Sequence, residues 1–370
     1  MKFYVYDYTK DGISDSEAIR NCLEDSKKQK KRTIVFDRRN WMIDEAILLP
    51  SDTTVIIDDC TIKQTDETFD NIFRGDNLVL NPEDPYGCPI DIKEISNIKI
   101  LGKGRAVLEG PELNKVGYHT FFGEEQVMVG DFWGWRTHQI SISMCKNFEL
   151  GNVAILKTRG WAVSFDVSEN IYIHDIEFFS RVKNGDGIDF RSGCHNCLVE
   201  NITGETSDDT VACTALASKE TSSFMTKSKF LYPSEPTRKM RKRVPEDYDI
   251  SNVIIKNVCT QGREHELICL AAEGNKVYNV LIENIKEPEN GTGWRESAVK
   301  VYTGYGKGYN SGDLHDITIK NVHATYSDCA VYCNAEVEDV ALENINHKDK
   351  DKKYRIDYPD GIDIEEGKSV

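Results

Sequence analysis

Long apolar runs are missing from this 370-residue chain, and no stretch approaches the roughly 20 consecutive apolar residues that cross a bilayer as a helix. The N-terminal sequence MKFYVYDYTKDG also lacks the apolar segment of a secretory signal, because Asp7 and Lys10 interrupt it. Basic residues are scarce relative to acidic ones, 46 against 62, and the net charge of −16 argues against nucleic acid or an anionic membrane as a partner. We therefore expect a cytoplasmic protein that binds neither.

A complete set of disulfides is excluded by the odd number of cysteines, 11, so we expect reduced thiols. Cys194 and Cys197 form a CxxC motif, but only His195 stands nearby as a further ligand, and a second ligand pair at suitable spacing is missing. Buried free cysteines are common in protein cores. The sequence therefore predicts apolar core cysteines, no metal site and no cofactor.

A seven-residue pattern recurs along most of the chain. It begins with Asn or Asp, has apolar residues at +1 and +3, another Asn or Asp at +5 and an apolar residue at +6. Seven copies begin at Asn147, Asn170, Asn196, Asn252, Asn279, Asp316 and Asp339, and a degenerate copy begins at Asn97. Successive starts of the seven are 23, 26, 56, 27, 37 and 23 residues apart, a spacing typical of solenoid coils of which some carry insertions.

Each copy predicts a short strand whose +1 and +3 side chains face inward, followed by a bend at the polar +5 residue. One such strand cannot bury its own apolar face, whereas coils stacked at about 4.8 Å form long parallel sheets around a shared core. Asparagines at the bend can then hydrogen-bond from coil to coil, so we interpret them as structural. The pattern predicts an all-β protein, a right-handed parallel β-helix that forms a single domain over residues 1–370.

The ends of such a solenoid are exposed sheet edges that need a cover. Near the N-terminus, a capping box from Ser14 to Glu17 predicts a helix that covers one end. Its buried stripe would consist of Ala18, Ile19, Cys22 and Leu23. Residues 347–370 are polar and predict a C-terminal tail or an edge cover. Residues 215–249 contain three prolines and a cluster of basic side chains, and they predict a long inserted loop that faces the substrate.

Two consecutive coils carry acids before matching strands, since NGDGIDF contains Asp186 and SDDTVAC contains Asp208 and Asp209. Because coils stack in register, we expect these carboxylates to lie close together, where like charges at about 5 Å raise at least one pKa. Such acids favour an active site over the alternatives, a Ca²⁺ site or solvated turn aspartates. Glycosidic cleavage uses such a set, because one acid protonates the leaving oxygen and another carboxylate activates water.

The following coils add basic and aromatic candidates to the same surface. EHELICL places His265 at the position that we take as equivalent, and SAVKVYT places Lys300 and Tyr302 on the outward face. Trp294 lies shortly before Lys300 and is the first candidate among the tryptophans for stacking against a sugar. For the tryptophans as a group, packing in the core or in turns is the alternative.

Together these segments resemble the polygalacturonase family of glycoside hydrolases, whose motifs NTD, DD, GHG and RIK occur in this order on a β-helix. The start DGISDSEAI and the segment RGWAVSFDVSENIYI resemble the corresponding parts of the family. The resemblance implies that Asp208 is the general acid, that Asp186 and Asp209 hold the nucleophilic water and that His265 supports the acid. Asn184 stands in the first motif and would bind substrate.

The departures from these motifs concern the substrate. GHG is replaced by EHE around His265, Ser207 stands where the family has glycine before DD, and RIK is replaced by KVY from Lys300 to Tyr302. Because Lys offers a point charge where Arg offers a planar fork, recognition of a uronate carboxylate should be weaker. We predict an inverting, exo-acting hydrolase of an α-linked oligosaccharide, either a galacturonide or a differently substituted sugar.

Two other functions are compatible with a β-helix. A polysaccharide lyase would use the carboxylates as Ca²⁺ ligands and a basic residue to abstract a proton next to a uronate carboxylate. We expect no Arg in the acidic column, which argues against a lyase. A non-catalytic glycan-binding β-helix is the second alternative, and it would keep its function after Asp208→Asn.

Overall fold

The computed structural model describes residues 1–112, 118–121, 124–127, 134–216, 231–234, 248–262, 265–291, 294–303 and 309–365. Of residues 85, 86, 88, 118–121 and 124–127 it describes the backbone alone. None of the helices in these ranges has the length and apolarity that a membrane crossing requires. The predicted 215–249 insertion falls largely outside the described residues, and only its residues 215–216, 231–234 and 248–249 are described.

Two long parallel sheets account for most of the described chain. The first follows the sequence repeat and has 15 strands: Lys2–Tyr4, Arg32–Phe36, Trp41–Ile43, Thr53–Asp58, Thr61–Gln64, Ile95–Lys103, Val107–Glu109, Cys145–Leu156, Glu169–Phe179, His195–Thr206, Ile250–Gly262, Val277–Lys286, Leu314–Ala324, Glu338–His347 and Ile362–Glu365. Almost every strand pairs with the strand of the preceding and of the following coil. The chain therefore winds as a parallel β-helix, as the repeat predicts.

The second sheet is built from short segments that lie between the strands of the repeat. It has ten strands: Ile47–Leu49, Phe73–Gly75, Ile140–Ser143, Val163–Asp166, Ile188–Arg191, Val211–Leu216, Ile268–Glu273, Ser297–Tyr302, Cys329–Cys333 and Tyr354–Ile356. Two antiparallel pairs stand apart, Leu78–Asn81 with Asp84–Ile92 and Tyr118–Phe121 with Glu124–Val127. Short 3₁₀ helices cover Val5–Tyr8, Trp135–Thr137 and Lys350–Lys352.

Apolar residues at +1 and +3 of the repeat stack in the core. Ile171 pairs with Cys197 and Ile173 with Val199, and all four side chains are buried. The same positions of the other copies join one continuous cluster that also includes the inward residues of the second sheet. Burial on this scale supplies the main stabilisation of a solenoid, since each coil buries its apolar face only against its neighbours. Cysteines fit this role, because the ten described ones are free and nine of them are buried.

Asparagines form two ladders along the outside of the coils. In the ladder at +5, Asn257 Nδ2 donates to Asn201 Oδ1 at 3.1 Å, and Asn284 Nδ2 donates to Asn257 Oδ1 at 3.1 Å. The first position of the repeat forms a second ladder of the same kind, for example from Asn196 to Asn170 at 3.2 Å. Both positions have left-handed backbone, with φ between 50° and 64°, a conformation that Asn tolerates better than most residues. The pattern predicts the +5 ladder, whereas the ladder at the first position is a finding of the structure.

The N-terminal capping helix is confirmed and spans Asp15–Ser26. Ser14 is its N-cap, because the Ser14 hydroxyl accepts a hydrogen bond from the Glu17 backbone N–H at 3.1 Å. The side chains on its inner face are buried, namely Ser16, Ala18, Ile19, Cys22, Leu23 and Ser26. The helix lies against the first strands of both sheets and so covers one end of the core.

The C-terminal tail contributes strands to both sheets. Tyr354–Ile356 pairs with Cys329–Cys333, and Ile362–Glu365 pairs with Glu338–His347. Residues 347–365 therefore extend the solenoid instead of leaving it, and residues 366–370 lie outside the described part. The last strand of the first sheet leaves Ile364 45% exposed.

Candidate active site

Three neighbouring coils each place an acid at the same position relative to their strand of the second sheet. Their strands pair in register at Ile188, Val211 and Ile268. Asp186, Asp209 and Glu266 each stand two residues before that start. Since the strands are in register, the three acids form one column. The expectation that His265 occupies the equivalent place is therefore wrong: Glu266 does, and His265 precedes it as Asp208 precedes Asp209.

The aspartates of this column meet at the bottom of a cleft of about 220 Å³. One carboxylate oxygen each of Asp186, Asp208 and Asp209 lies within 4.8 Å of the other two. The three residues are only 5%, 9% and 5% exposed. The backbone N–H of Asp209 donates to Asp208 Oδ1 at 3.0 Å and fixes one carboxylate against the next. The predicted proximity of the three acids is thus present in the structure.

Burial and mutual repulsion raise the pKa of two of these acids, Asp186 and Asp209. Burial raises the pKa of Asp186 well above its ordinary value, and the charge of Asp208 raises it further. The pKa of Asp209 is raised for the same two reasons, burial first and the charge of Asp208 second. Such a group titrates as a unit, so it can hold a proton and a carboxylate side by side at neutral pH.

His265 sits at the rim of the cleft beside one of the aspartates. Its Nε2 lies 3.8 Å from Asp208 Oδ2, and its side chain is 52% exposed. The charge of Asp208 raises the pKa of His265, against an opposing effect of burial. Arg295 anchors this corner, since Nη1 donates to the His265 carbonyl at 3.1 Å and Nη2 donates to Thr206 Oγ1 at 3.3 Å. Thr206 in turn donates to the Asp208 carbonyl at 3.0 Å, so one buried guanidinium ties both loops together.

Glu266 is a site residue whose rung position the sequence reasoning missed. It is 2% exposed, and burial followed by the charge of Asp209 raises its pKa to about 8. Its backbone N–H donates to Asp209 Oδ1 at 3.1 Å, a bond that favours the ionised form of that aspartate. Counting two residues back from Ile268 would have identified it.

Asp189 and Arg191 are two further charged residues that the sequence reasoning missed. Asp189 is fully buried, and burial raises its pKa to about 8 although Arg191 lowers it. Arg191 Nη2 donates to Asp189 Oδ1 at 3.1 Å, and Arg191 lines the cleft. Arg191 is therefore an arginine of the cleft that lies beside the acidic column, outside the positions for which no Arg was expected. The sequence did contain a signal for them. In IDFR the charged residues alternate with Ile188 and Phe190, and this alternation predicts that Asp189 and Arg191 lie on the outer face of the strand.

Lys300 lies in the cleft between two glutamates. Its Nζ is 3.3 Å from Glu266 Oε1 and 2.5 Å from Glu296 Oε2. Burial alone would lower the pKa of Lys300, but the two carboxylates outweigh it and raise the pKa. The ammonium also stands 4.4 Å from the centre of the Tyr302 ring.

Of the other three residues predicted to bind substrate, two line the cleft and one does not. Asn184 and Tyr302 line it together with Lys300. Trp294 is 49% exposed, is not part of the lining, and donates from its Nε1 to Asp328 Oδ2 at 3.0 Å.

The described part of the insertion forms one wall of the cleft. Leu231 and Tyr232 are buried against Trp161. The backbone N–H of Ser234 donates to Asp166 Oδ2 at 3.0 Å and holds this segment to the second sheet. The Trp161 ring makes two further contacts, with the guanidinium carbon of Arg191, 3.8 Å from the ring centre, and with the stacked ring of His138, whose centre lies 4.6 Å away.

Within the described part of the chain, two sets of side chains could hold a metal ion. Asp186, Asp208 and Asp209 offer three oxygens, and Asp209, Glu266 and Cys269 offer two oxygens and a sulfur. In each set the ligand atoms lie within 4.8 Å of one another. Three oxygens are fewer than the roughly six to eight that Ca²⁺ takes, so water or substrate would have to complete the shell.

Solved structures with the same fold have several different functions. An exopolygalacturonase from Thermotoga maritima matches with 15% identity and a TM-score of 0.55, covering 100% of this chain and 92% of the other. The A-module of a mannuronan C-5 epimerase from Azotobacter vinelandii matches with 12% identity and a TM-score of 0.58, covering 99% and 87%. The surface protein and adhesin PfbA from Streptococcus pneumoniae matches with 11% identity and a TM-score of 0.61, covering 98% and 88%.

Comparison with models of known families, and with proteins of described function, gave no match. Identities of 11% to 15% establish a common fold and leave the activity open. The fold predicted from the repeat is confirmed, and the resemblance to polygalacturonases holds at the level of this fold. The chain is a right-handed parallel β-helix protein.

Proposed function

We propose that this protein is an inverting glycoside hydrolase that acts on an α-linked oligosaccharide. The observation that carries the proposal is the meeting of Asp186, Asp208 and Asp209 within 4.8 Å at the bottom of a cleft. A hydrolase needs one protonated and one ionised carboxyl at the same time, and mutual repulsion in a nearly buried set supplies both. Carbohydrate is the substrate class of the exopolygalacturonase with this fold.

The roles follow the surroundings of each acid. Asp208 is assigned as the general acid from the motif resemblance, and its side chain is 12% exposed in the cleft with His265 Nε2 3.8 Å from its Oδ2. Asp209 holds the attacking water as a carboxylate, since the Glu266 N–H stabilises its negative charge. Asp186 faces the same point from the preceding coil and shares that water.

The shape of the cleft supports release of one sugar from a chain end. Its volume of about 220 Å³ is below the roughly 300–1,000 Å³ of pockets for drug-sized ligands. Leu231 and Tyr232 from the insertion close one side. A closed pocket of this size holds one sugar ring, so we assign exo action.

Stereochemistry is the part of the proposal that rests on motif resemblance. Carboxyl groups of inverting enzymes usually stand about 6.5–9.5 Å apart, which leaves room for a water. The nearest oxygens of Asp186, Asp208 and Asp209 are closer than that, within 4.8 Å. Proton NMR of the first-formed anomer decides the point: an α-glycoside that gives the β-anomer first shows inversion, and one that gives the α-anomer first contradicts it.

The decisive variant is Asp208→Asn, which keeps the shape of the general acid and removes its proton. Turnover of aryl α-glycosides and α-linked oligosaccharides, measured as reducing sugar, should fall by roughly 10²–10⁴-fold. Asp316→Asn is the matched control, because its side chain is 58% exposed on the first sheet at a position where other coils carry Asn. Wild-type turnover by Asp208→Asn alongside an intact fold would refute hydrolysis by this acid.

A lyase is the second candidate, and the placement of Arg191 in the cleft is the observation that favours it. A lyase would abstract a proton next to a uronate carboxylate and leave an unsaturated product. Rising ultraviolet absorbance with galacturonide oligomers, lost on addition of a chelator, would identify that reaction. Reducing sugar without such absorbance would support hydrolysis.

A further inference from the structure

We infer that the cleft selects a neutral sugar and rejects a uronate, because the basic side chains in its described lining are already in contact with the protein's own carboxyl groups. This inference rests on the proposed function and adds the substrate class. It concerns the charge at the sugar, and it does not depend on which acid protonates the leaving group.

Lys300 is the basic residue on which carboxylate recognition would depend, and it is held from two sides. Glu296 lies 2.5 Å from its Nζ and Glu266 lies 3.3 Å away. Even with Glu266 protonated, the contact with Glu296 leaves the ammonium paired. The Lys300 side chain is only 11% exposed, so a substrate carboxylate could reach it only by displacing an existing partner.

Glu296 is itself fixed in this position. Its Oε1 stands 3.5 Å from Nη1 of Arg355, whose guanidinium carbon lies 4.2 Å from the centre of the Tyr332 ring. The sequence of charges from Glu266 through Lys300 and Glu296 to Arg355 alternates in sign. Such an alternating row satisfies each charge internally and has little to gain from an added anion.

The other basic groups in the described lining are also paired. Arg191 donates to Asp189 Oδ1 at 3.1 Å, and His265 stands 3.8 Å from Asp208. Four carboxyl groups line the same cleft: Asp186, Asp208, Asp209 and Glu266. The proposed mechanism needs at least one of these groups ionised, so a uronate would place a second negative charge beside it, whereas sugar hydroxyls can donate hydrogen bonds to these oxygens.

The test compares two trisaccharides that differ only at C6. One is α-1,4-linked galacturonate, and the other is the same trimer with each carboxyl reduced to CH₂OH. The wild-type enzyme should cut the reduced trimer with a kcat/KM at least about tenfold higher, which corresponds to about 1.4 kcal/mol. Equal or faster cleavage of the galacturonate trimer would overturn the inference.

Glu296→Gln tests whether the pairing of Lys300 with Glu296 causes the preference for the neutral sugar. Removing this charge frees Lys300 for an incoming carboxylate, so the ratio of kcat/KM for the acidic over the neutral trimer should rise about tenfold. Glu177→Gln is the control, because Glu177 is exposed on a strand of the first sheet and should leave the ratio unchanged. An unchanged ratio in a folded Glu296→Gln protein would show that the pairing of Lys300 does not determine the preference between acidic and neutral sugars.

Failure of the proposed function can be told apart from failure of this inference. If neither trimer is cut, titration with galactose and with galacturonate, followed by protein NMR, measures the charge preference without turnover. Tighter binding of galactose supports the inference even then. Equal or tighter binding of galacturonate, or no binding of either sugar by wild type and Glu296→Gln, overturns it.

Discussion

At the scale of single residues, the cleft concentrates groups that burial penalises. Asp189 and Asp209 lie in neighbouring coils with 0% and 5% exposure, and burial is the first cause of the raised pKa of both. Structure alone gains nothing from such a set, because each ionised carboxyl loses hydration and repels the next. A buried set of this kind favours the proposed active site over a purely structural role.

The raised pKa of Asp189 predicts how stability depends on pH. Its pKa is about 8 in the folded protein and 3.8 in a model compound, so the folded state binds the proton more tightly. The stabilisation is therefore full below pH 3.8 and is lost as the pH rises toward about 8. Urea midpoints of the wild type should fall between pH 5 and 8, and Asp189→Asn should flatten this fall.

The control for this titration is Asp316→Asn. That carboxylate is 58% exposed at the side chain, so its loss should leave the pH dependence as in the wild type. An identical fall in Asp189→Asn and wild type would show that Asp189 is ionised throughout this range.

Residue-level prediction from the sequence succeeded where backbone spacing alone decides contact. Asp186, Asp208 and Asp209 could be brought together by counting back from matching strands, and they do meet. Glu266 was assigned to the wrong place, because an error of one residue exchanges it with His265. Whether a charged neighbour such as Glu296 occupies Lys300 depends on side-chain directions that spacing does not fix.

At the scale of elements, the strands of the repeat depend on their bends as much as on their apolar faces. Asn257 shows the arrangement: its φ is 56°, it donates to Asn201 and it accepts from Asn284. Left-handed backbone is costly for most residues, and the ladder offsets that cost with one hydrogen bond per coil.

Replacing the middle residue of this ladder should separate the two effects. Asn257→Ala loses both hydrogen bonds and puts a Cβ-bearing residue at φ 56°, so unfolding free energy should fall by about 2 kcal/mol. Glycine adopts a positive φ without strain, so Asn257→Gly should lower the unfolding free energy by about half as much as Asn257→Ala. Urea denaturation followed by circular dichroism measures both. An alanine variant as stable as the glycine variant would show that the bend carries no strain.

The two sheets differed in how well the sequence predicted them. Strands of the first sheet alternate between buried and exposed side chains, as in Asn279–Glu283, and the period of two is visible. Strands of the second sheet do not, since Val211–Leu216 and Ile268–Glu273 are buried at every position. The side chains on the outer face of these two strands are also buried. The strands therefore lack the alternation of apolar and polar residues that identifies a strand with one exposed face.

At the scale of the whole molecule, the two ends of the solenoid are finished differently. The helix Asp15–Ser26 covers the first coil with a buried face. The last strand, Ile362–Glu365, belongs to the edge of the first sheet and has no fully buried residue. Coils of a solenoid are stabilised mainly by their neighbours, so the coil under the helix should open less readily than the last described strands, which have no buried residue.

Hydrogen exchange should show this asymmetry. Amides of Ile362–Glu365 and Tyr354–Ile356 should exchange first, those of Arg32–Phe36 under the helix later, and those of the central strand His195–Thr206 last. Mass spectrometry of peptides from each strand measures the order. Equal protection at both ends would mean that the helix adds nothing to the stability of the first coils.

The sequence predicted the architecture because the copies of the repeat remain recognisable even where insertions lengthen the segments between them. The sequence predicted that the insertion faces the substrate, but it did not predict that Leu231 and Tyr232 pack against Trp161, since that contact depends on a segment with no repeat.

The column of acids has one more implication. Asp186 comes from one turn of the chain, and Asp208 and Asp209 come from the next, so the proposed set of three acids needs two turns in alignment. Sliding one turn by two residues would return apolar side chains to the interior and leave folding nearly satisfied, yet it would separate Asp186 from the other two acids. The proposed activity is therefore more sensitive to the alignment of the turns than hydrophobic packing is.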